Sequence, residues 1–170
     1  MAHSIQALIF GEALLPEADL LVPNCRTAAL RQGFRLLAVT TQFTRELRSV
    51  YPEAPDAQWS DFEYLSGPVE SIAVRLSAFG PVAFVETEYH GGIGAQAAIV
   101  WHEGIVVLPP RTSEIGPIND ALVILGVARD GYLTNSKQLA SIGGAISSLS
   151  YANRRRRYRP ARGARWAFPL

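Results

Sequence analysis

Two carboxylates and an imidazole stand at alternate positions in one stretch of this chain: Glu86, Glu88 and His90, in the run VAFVETEYH at residues 82–90. In an extended strand alternate side chains share a face, so the three fall with Val82 and Phe84, while Ala83, Val85, Thr87 and Tyr89 face the other way. Strand rise would set successive members of the row roughly 7 Å apart. Such a row holds the groups for general acid–base chemistry or for a divalent cation, which would make the chain a small hydrolase or metal-dependent enzyme. It is also the composition of a hydrated strand end. A metal site normally draws ligands from several elements, and the sequence offers no second cluster bound to come near. The row is therefore read first as part of a binding face, with no cofactor and no metal assigned.

Two further stretches could recognise a partner. Trp59, Phe62 and Tyr64 crowd a polar, proline-bearing loop. Aromatic side chains are enriched at the centres of protein interfaces, although rings so placed also serve to pin a loop to the core. The second stretch is ANRRRRYRPARGARW near the C-terminus, with Arg154, Arg155, Arg156, Arg157, Arg159, Arg162 and Arg165 interleaved by Tyr158 and Trp166. Guanidinium groups pair with phosphates and rings stack on bases, so nucleic acid is one expected partner. An acidic protein, or the acidic body of this same chain, is another.

Other motifs carry less. Gly91-Gly92-Ile93-Gly94 has the glycine density of a phosphate-cradling loop, but those loops feed a helix N-terminus, and residues 95–101 read as a strand. The glycines are expected to serve a turn or bulge. His102, followed by Glu103 and Gly104, belongs to a hairpin turn by composition. No P-loop, G-x-S-x-G elbow or H-E-x-x-H appears. Cys25 is the only cysteine; it has no partner for an internal disulfide and no base beside it in sequence, and reads as a small packed residue.

The elements that must position these groups follow from periodicity. The 170 residues suit one domain, with residues 1–150 a single globular α+β domain and 151–170 an Arg-rich tail expected to be flexible. The net charge of +1 conceals a division: seven of the 16 basic residues are arginines in the last 20 positions, leaving nine bases against 15 acids in residues 1–150, a net −6. The fold expected is an antiparallel or mixed sheet with a central meander at residues 82–108, packed by helices at 42–51, 68–79 and 117–125. Strands are also expected at 5–10 and 34–39, a helical turn at 26–32 closed by Gly33, and a weak helix over 139–149 interrupted by Gly143-Gly144. Pro16 and Pro23 argue for an irregular connection over 14–23, and Leu108-Pro109-Pro110 for the end of the sheet. The longest apolar runs fall far short of the roughly 18–20 residues that cross a bilayer, and the N-terminus lacks a basic leader, so the chain is expected to be cytoplasmic, with no membrane partner.

The stretch EYHGGIGAQAAIVWHEG, with LPP and GPINDALVILGV downstream, resembles small bacterial proteins that share a G-G-x-G-x-Q…W-x-x-G pattern. Some of those are similar to immunity proteins, which bind and silence a toxin made by the same cell. The resemblance spans residues 5–130 and omits the tail. It implies a non-enzymatic protein-binding module with a basic toxin domain as partner, and the residues for that contact are Trp59, Phe62, Tyr64, Glu86 and Glu88.

Overall fold

A computed structural model describes residues 3–22, 25–90 and 93–128. It is an α+β fold: six strands in the order β2-β3-β1-β4-β5-β6, every neighbouring pair antiparallel. The strands are β1 (His3–Gly11), β2 (Thr27–Ala29), β3 (Phe34–Ala38), β4 (Val82–His90), β5 (Ile93–His102) and β6 (Ile105–Ser113). The α-helices are α1 (Leu15–Leu21), α2 (Thr41–Val50), α3 (Gly67–Leu76) and α4 (Pro117–Ile124). Strands β4, β5 and β6 form the expected meander. Among the described residues no helix is long and apolar enough to cross a membrane.

Both sheet faces are covered, which is why the central strands carry continuous apolar runs rather than simple alternation. On one face Leu8, Phe10, Val82, Phe84, Ile99 and Trp101 pack with Ala18 of α1, Leu47 of α2 and Val69, Ile72 and Leu76 of α3. On the other, Ile5, Ala7, Ile9, Ala83, Val85 and Val100 meet Ile118, Ala121 and Leu122 of α4. The alternation of Val82 and Phe84 against Ala83 and Val85 thus divides two cores, not a core from solvent.

Several local expectations change. Residues 14–23 were expected to be irregular, yet α1 forms over Leu15–Leu21 because Pro16 falls in its first turn, where its missing N–H has no intrahelical partner to lose. The expected helical turn at 26–32 is instead the short edge strand β2, with Thr27 opposite Leu37 and Ala29 opposite Arg35. Three residues are too few for a strand period to show. The tight turn does use Gly33, at φ 75°, together with Gln32 at φ 61°. Helix α2 begins at Thr41, one residue before the expected start, and is capped by Thr40, whose hydroxyl accepts the Phe43 N–H at 3.1 Å. Helix α3 stops at Leu76, three residues before the expected end at Phe79, which is 63% exposed.

The sheet also runs past the proline pair. Strand β6 continues to Ser113, with Arg111 opposite Ala98 and Thr112 opposite Ala97. It is an edge strand, and Pro109-Pro110 fall where the pairing shifts register between Arg111 opposite Ala98 and Leu108 opposite Val100, an irregularity in which neither proline is paired in the ladder. The β5–β6 turn has Glu103 at φ 53° and Gly104 at φ 76°, the paired positive values of a two-residue hairpin loop. Ser77, fully buried just after α3, ties this turn down: its carbonyl accepts the Glu103 N–H at 2.8 Å and its hydroxyl accepts the Gly104 N–H at 3.1 Å. The weak helix expected at 139–149 and the Arg-rich tail at 151–170 lie outside the described residues.

Candidate functional site

The loop between α2 and α3 is acidic. Residues 52–66 carry Glu53, Asp56, Asp61 and Glu63 and no basic side chain. Repulsion among four carboxylates favours an open, mobile loop, so holding it in one conformation requires anchors.

Four anchors are present. Glu70, on the first turn of α3 and only 8% exposed, accepts the Gln58 N–H at 2.9 Å. The loop backbone also rides directly on that turn. A Cβ on Gly67 would stand 1.5 Å from the Pro55 carbonyl oxygen, so only glycine permits the contact. Farther along, Phe62 is buried and meets Phe84 of β4 edge to face, with ring centroids 5.4 Å apart and planes at 76°.

The fourth anchor is Glu86. It lies two residues beyond Phe84 on the same strand face, and its two carboxylate oxygens each accept a loop N–H: Oε1 from Tyr64 at 2.6 Å, Oε2 from Glu63 at 3.1 Å. The half-buried setting disfavours its charge and raises its pKa above the ordinary carboxylate value, with the backbone N–H groups of Tyr64 and Glu63 opposing and the Glu63 charge adding to the rise. Glu86 is thus a staple for the loop. Glu88, the next residue on that face, is exposed. The backbone of His90 is opposite Ile93 in the β4–β5 ladder, and its side chain lies outside the described part of the structure.

These anchors leave Tyr64 39% exposed beside Glu63, Glu86 and Glu88. Its hydroxyl pKa is raised, first by the Glu63 charge, then by desolvation, by a hydrogen bond to Glu63 and by the charges of Glu88 and Glu86. A phenol held protonated is a poor nucleophile or base. An aromatic ring surrounded by carboxylates is instead a receptor for an ammonium or guanidinium group. Trp59 is half-buried against the core beneath the same loop, and Phe62 contributes to the core. Of the three aromatics, Tyr64 alone is presented to solvent as a large exposed side chain.

The chain was compared with protein-family models, with curated proteins and with solved structures. None of the three gives a match.

Other groups with reactive side chains have local roles. Among the described residues no three His, Cys, Asp or Glu side chains are grouped so as to hold a metal ion. Cys25 donates to Asp19 Oδ1 at 3.3 Å, and burial together with that carboxylate pushes the thiol pKa up to about 12, away from nucleophilic use. His102 ends β5 at the hairpin turn and is exposed. Gly91 and Gly92, and the residues Arg154 to Arg165 with Tyr158 and Trp166, lie outside the described residues. Gly94 is in strand β5, where a Cβ would meet the Glu88 carbonyl oxygen at 2.1 Å and Tyr89 Cδ1 at 2.6 Å; it serves close packing.

The residues that single-sequence reading passed over are Gly67 and Glu70, which hold the loop, and Asp61 and Glu63, which make its surface acidic. The excess of acids over bases in residues 52–66 was a legible signal for the latter pair. Nothing in the spacing marks Glu70 as a loop anchor, since an acid in the first turn of a helix already has a reason to be there.

Proposed function

We propose that this chain is a non-enzymatic protein-binding module of the immunity type, which covers a basic surface of a partner such as a toxin domain. The observation that carries this reading is Tyr64, exposed among Glu63, Glu86 and Glu88 on a loop whose backbone is fixed by Glu86 and Glu70. A binding loop already ordered in the free protein loses little conformational entropy on association. The four carboxylates of residues 52–66, with no base among them, add short-range complementarity to a basic partner. Catalytic use of Glu86 with Glu88 and His90 would instead require Glu86 to release Glu63 and Tyr64.

The test is affinity isolation of the full-length chain from its native cell, in parallel with Tyr64→Ala and Glu88→Lys. The expected result is a stoichiometric basic protein, including the product of an adjacent gene, that is retained by the parent chain and lost from both variants. A parent chain that emerges without a stoichiometric partner, or a partner retained equally by all three forms, overturns the reading.

A second reading rests on the tail. Seven arginines with Tyr158 and Trp166 suit single-stranded nucleic acid. If that is the function, affinity for an oligonucleotide falls steeply with salt and disappears when residues 151–170 are removed. Salt-independent binding, or no binding, sinks it.

A further inference from the structure

Two polar side chains are sealed on the sheet face that α4 covers. Thr87 of β4 and Gln96 of β5 are each 2% exposed and stand directly opposite one another in the β4–β5 ladder. Alternation from Val85 and Ala98 puts both on that face. Among the described residues neither Thr87 Oγ1 nor Gln96 Oε1, both buried, has a hydrogen-bond partner. A buried polar atom left in that state forfeits its hydration and gains nothing in return, so each calls for a partner.

The other end of the Gln96 amide is engaged. Its Nε2 donates to the Tyr89 hydroxyl at 3.2 Å, and that hydroxyl donates to the Glu114 carbonyl, in the segment that leads into α4. With its hydrogen directed at a carbonyl, the Tyr89 oxygen can only accept from Gln96, which fixes the amide with Oε1 as the remaining end. Oε1 accepts only, whereas the Thr87 hydroxyl both donates and accepts. A molecule joining them must therefore donate to one and pair in either sense with the other. Directly opposed residues hold their Cβ atoms about 4.5–5.5 Å apart, so that molecule has to be of the size of water. It also has to be neutral. Ile5, Val85 and Ala98, the neighbours on this face, are buried and apolar, and neither Thr87 nor Gln96 brings a charge to offset the desolvation of an ion.

We propose that Thr87 and Gln96 form a binding site for one internal water molecule. The water donates to Gln96 Oε1 and accepts from the Thr87 hydroxyl, within the roughly two to four polar partners that buried waters take. It thereby extends the chain of hydrogen bonds that runs from Glu114 through Tyr89 and Gln96, tying the approach to α4 to strand β4. The site is on the opposite sheet face from Phe62 and Phe84 and does not depend on the partner-binding reading.

The experiment is magnetic relaxation dispersion of the water oxygen nucleus, which counts long-lived internal waters, on the full-length chain and on full-length Thr87→Val, Gln96→Met, the double variant and Thr87→Ser. The dispersion amplitude should fall by the equivalent of one water in the double variant and stay at the parent level in Thr87→Ser, which keeps the hydroxyl. Thermal unfolding gives a second readout. A water bridge makes each single apolar variant lose about 2–4 °C in melting temperature, with the double variant losing less than the sum, because removing both partners removes the need for the water. Two atoms that truly lacked a partner would behave in the opposite way, and replacing Thr87 by the isosteric valine would raise the melting temperature. An amplitude unchanged between the parent and the double variant overturns the proposal, as does a higher melting temperature in Thr87→Val or strict additivity of the two substitutions.

Discussion

Removing the Glu86 carboxylate should free the acidic loop while leaving the sheet in place. Glu86 accepts the Tyr64 N–H at 2.6 Å and the Glu63 N–H at 3.1 Å. A hydrogen bond to a charged group contributes about 1.5–3 kcal/mol. Two such bonds would sum to more than the observable loss, because the freed loop amides can turn to water and because burial disfavours the carboxylate that makes the bonds. A net cost of about 2 kcal/mol for Glu86→Ala is the reasonable figure, which for a chain of this length lowers the melting temperature by about 4–8 °C. The local effect should be larger. Amide exchange at Tyr64 should accelerate by about tenfold or more, while amides of Val82 to Val85 in the sheet keep their protection relative to global unfolding.

The pH dependence supplies an independent check. The folded-state pKa of Glu86 is raised above its unfolded value, so between the two values the native state binds more protons than the unfolded state. The contribution of this group to stability is therefore fully present below the ordinary carboxylate pKa and is lost as pH rises through the raised value. Glu86→Gln removes this titration and keeps one acceptor oxygen. The stability of the parent chain relative to Glu86→Gln should accordingly fall as pH climbs from about 4 through the raised value. Urea unfolding followed by tryptophan fluorescence at several pH values measures it. If the parent instead gains on Glu86→Gln over that range, or if Glu86→Ala leaves Tyr64 amide exchange unchanged, the staple reasoning is wrong.

Gly67→Ala should cost about 3 kcal/mol, because its Cβ would stand 1.5 Å from a backbone oxygen of Pro55 that cannot rotate away; thermal unfolding and chemical-shift changes confined to residues 52–66 would report it. Ser77→Ala should cost about 1 kcal/mol and increase exchange of the Gly104 amide, whose bond to the Ser77 hydroxyl is 3.1 Å long, while the Glu103 amide stays protected by the Ser77 carbonyl. With its thiol pKa at about 12, Cys25 should react slowly with a disulfide reagent at neutral pH, and Asp19→Asn should speed that reaction; a fast parent reaction in the folded state would contradict the assigned burial. These three variants probe the loop, the hairpin and the N-terminal region separately, so their effects should add.

Much of the architecture was legible because it rests on local periodicity. Helices α2, α3 and α4 announce themselves by apolar spacing together with Pro52, Pro68, Pro117 and Gly126 at their borders, and strands β1 and β3–β5 by short apolar runs. Two of the departures share one cause. Pro16 was taken as a helix breaker and Pro109-Pro110 as a strand end, yet a proline is costly only where its missing N–H would have had a partner. Position within the helix, and the register shift of an edge strand, decide that, and neither is a property of neighbours in sequence.

The site shows the same division. Residue types and alternation alone determine that Glu86 and Glu88 share a strand face, that residues 52–66 are acidic and aromatic, and that Cys25 has no disulfide partner within the chain. The different work of the two carboxylates was decided by the tertiary structure. Register and packing bring the loop amides of Glu63 and Tyr64, more than 20 residues earlier, onto Glu86 and leave Glu88 in solvent. An isolated strand treats the two glutamates alike. Only when Phe62 docks on Phe84, and α3 presents Gly67 and Glu70 to the loop, does one become an anchor and the other a surface charge, because desolvation and hydrogen-bond partners come from residues distant in the chain.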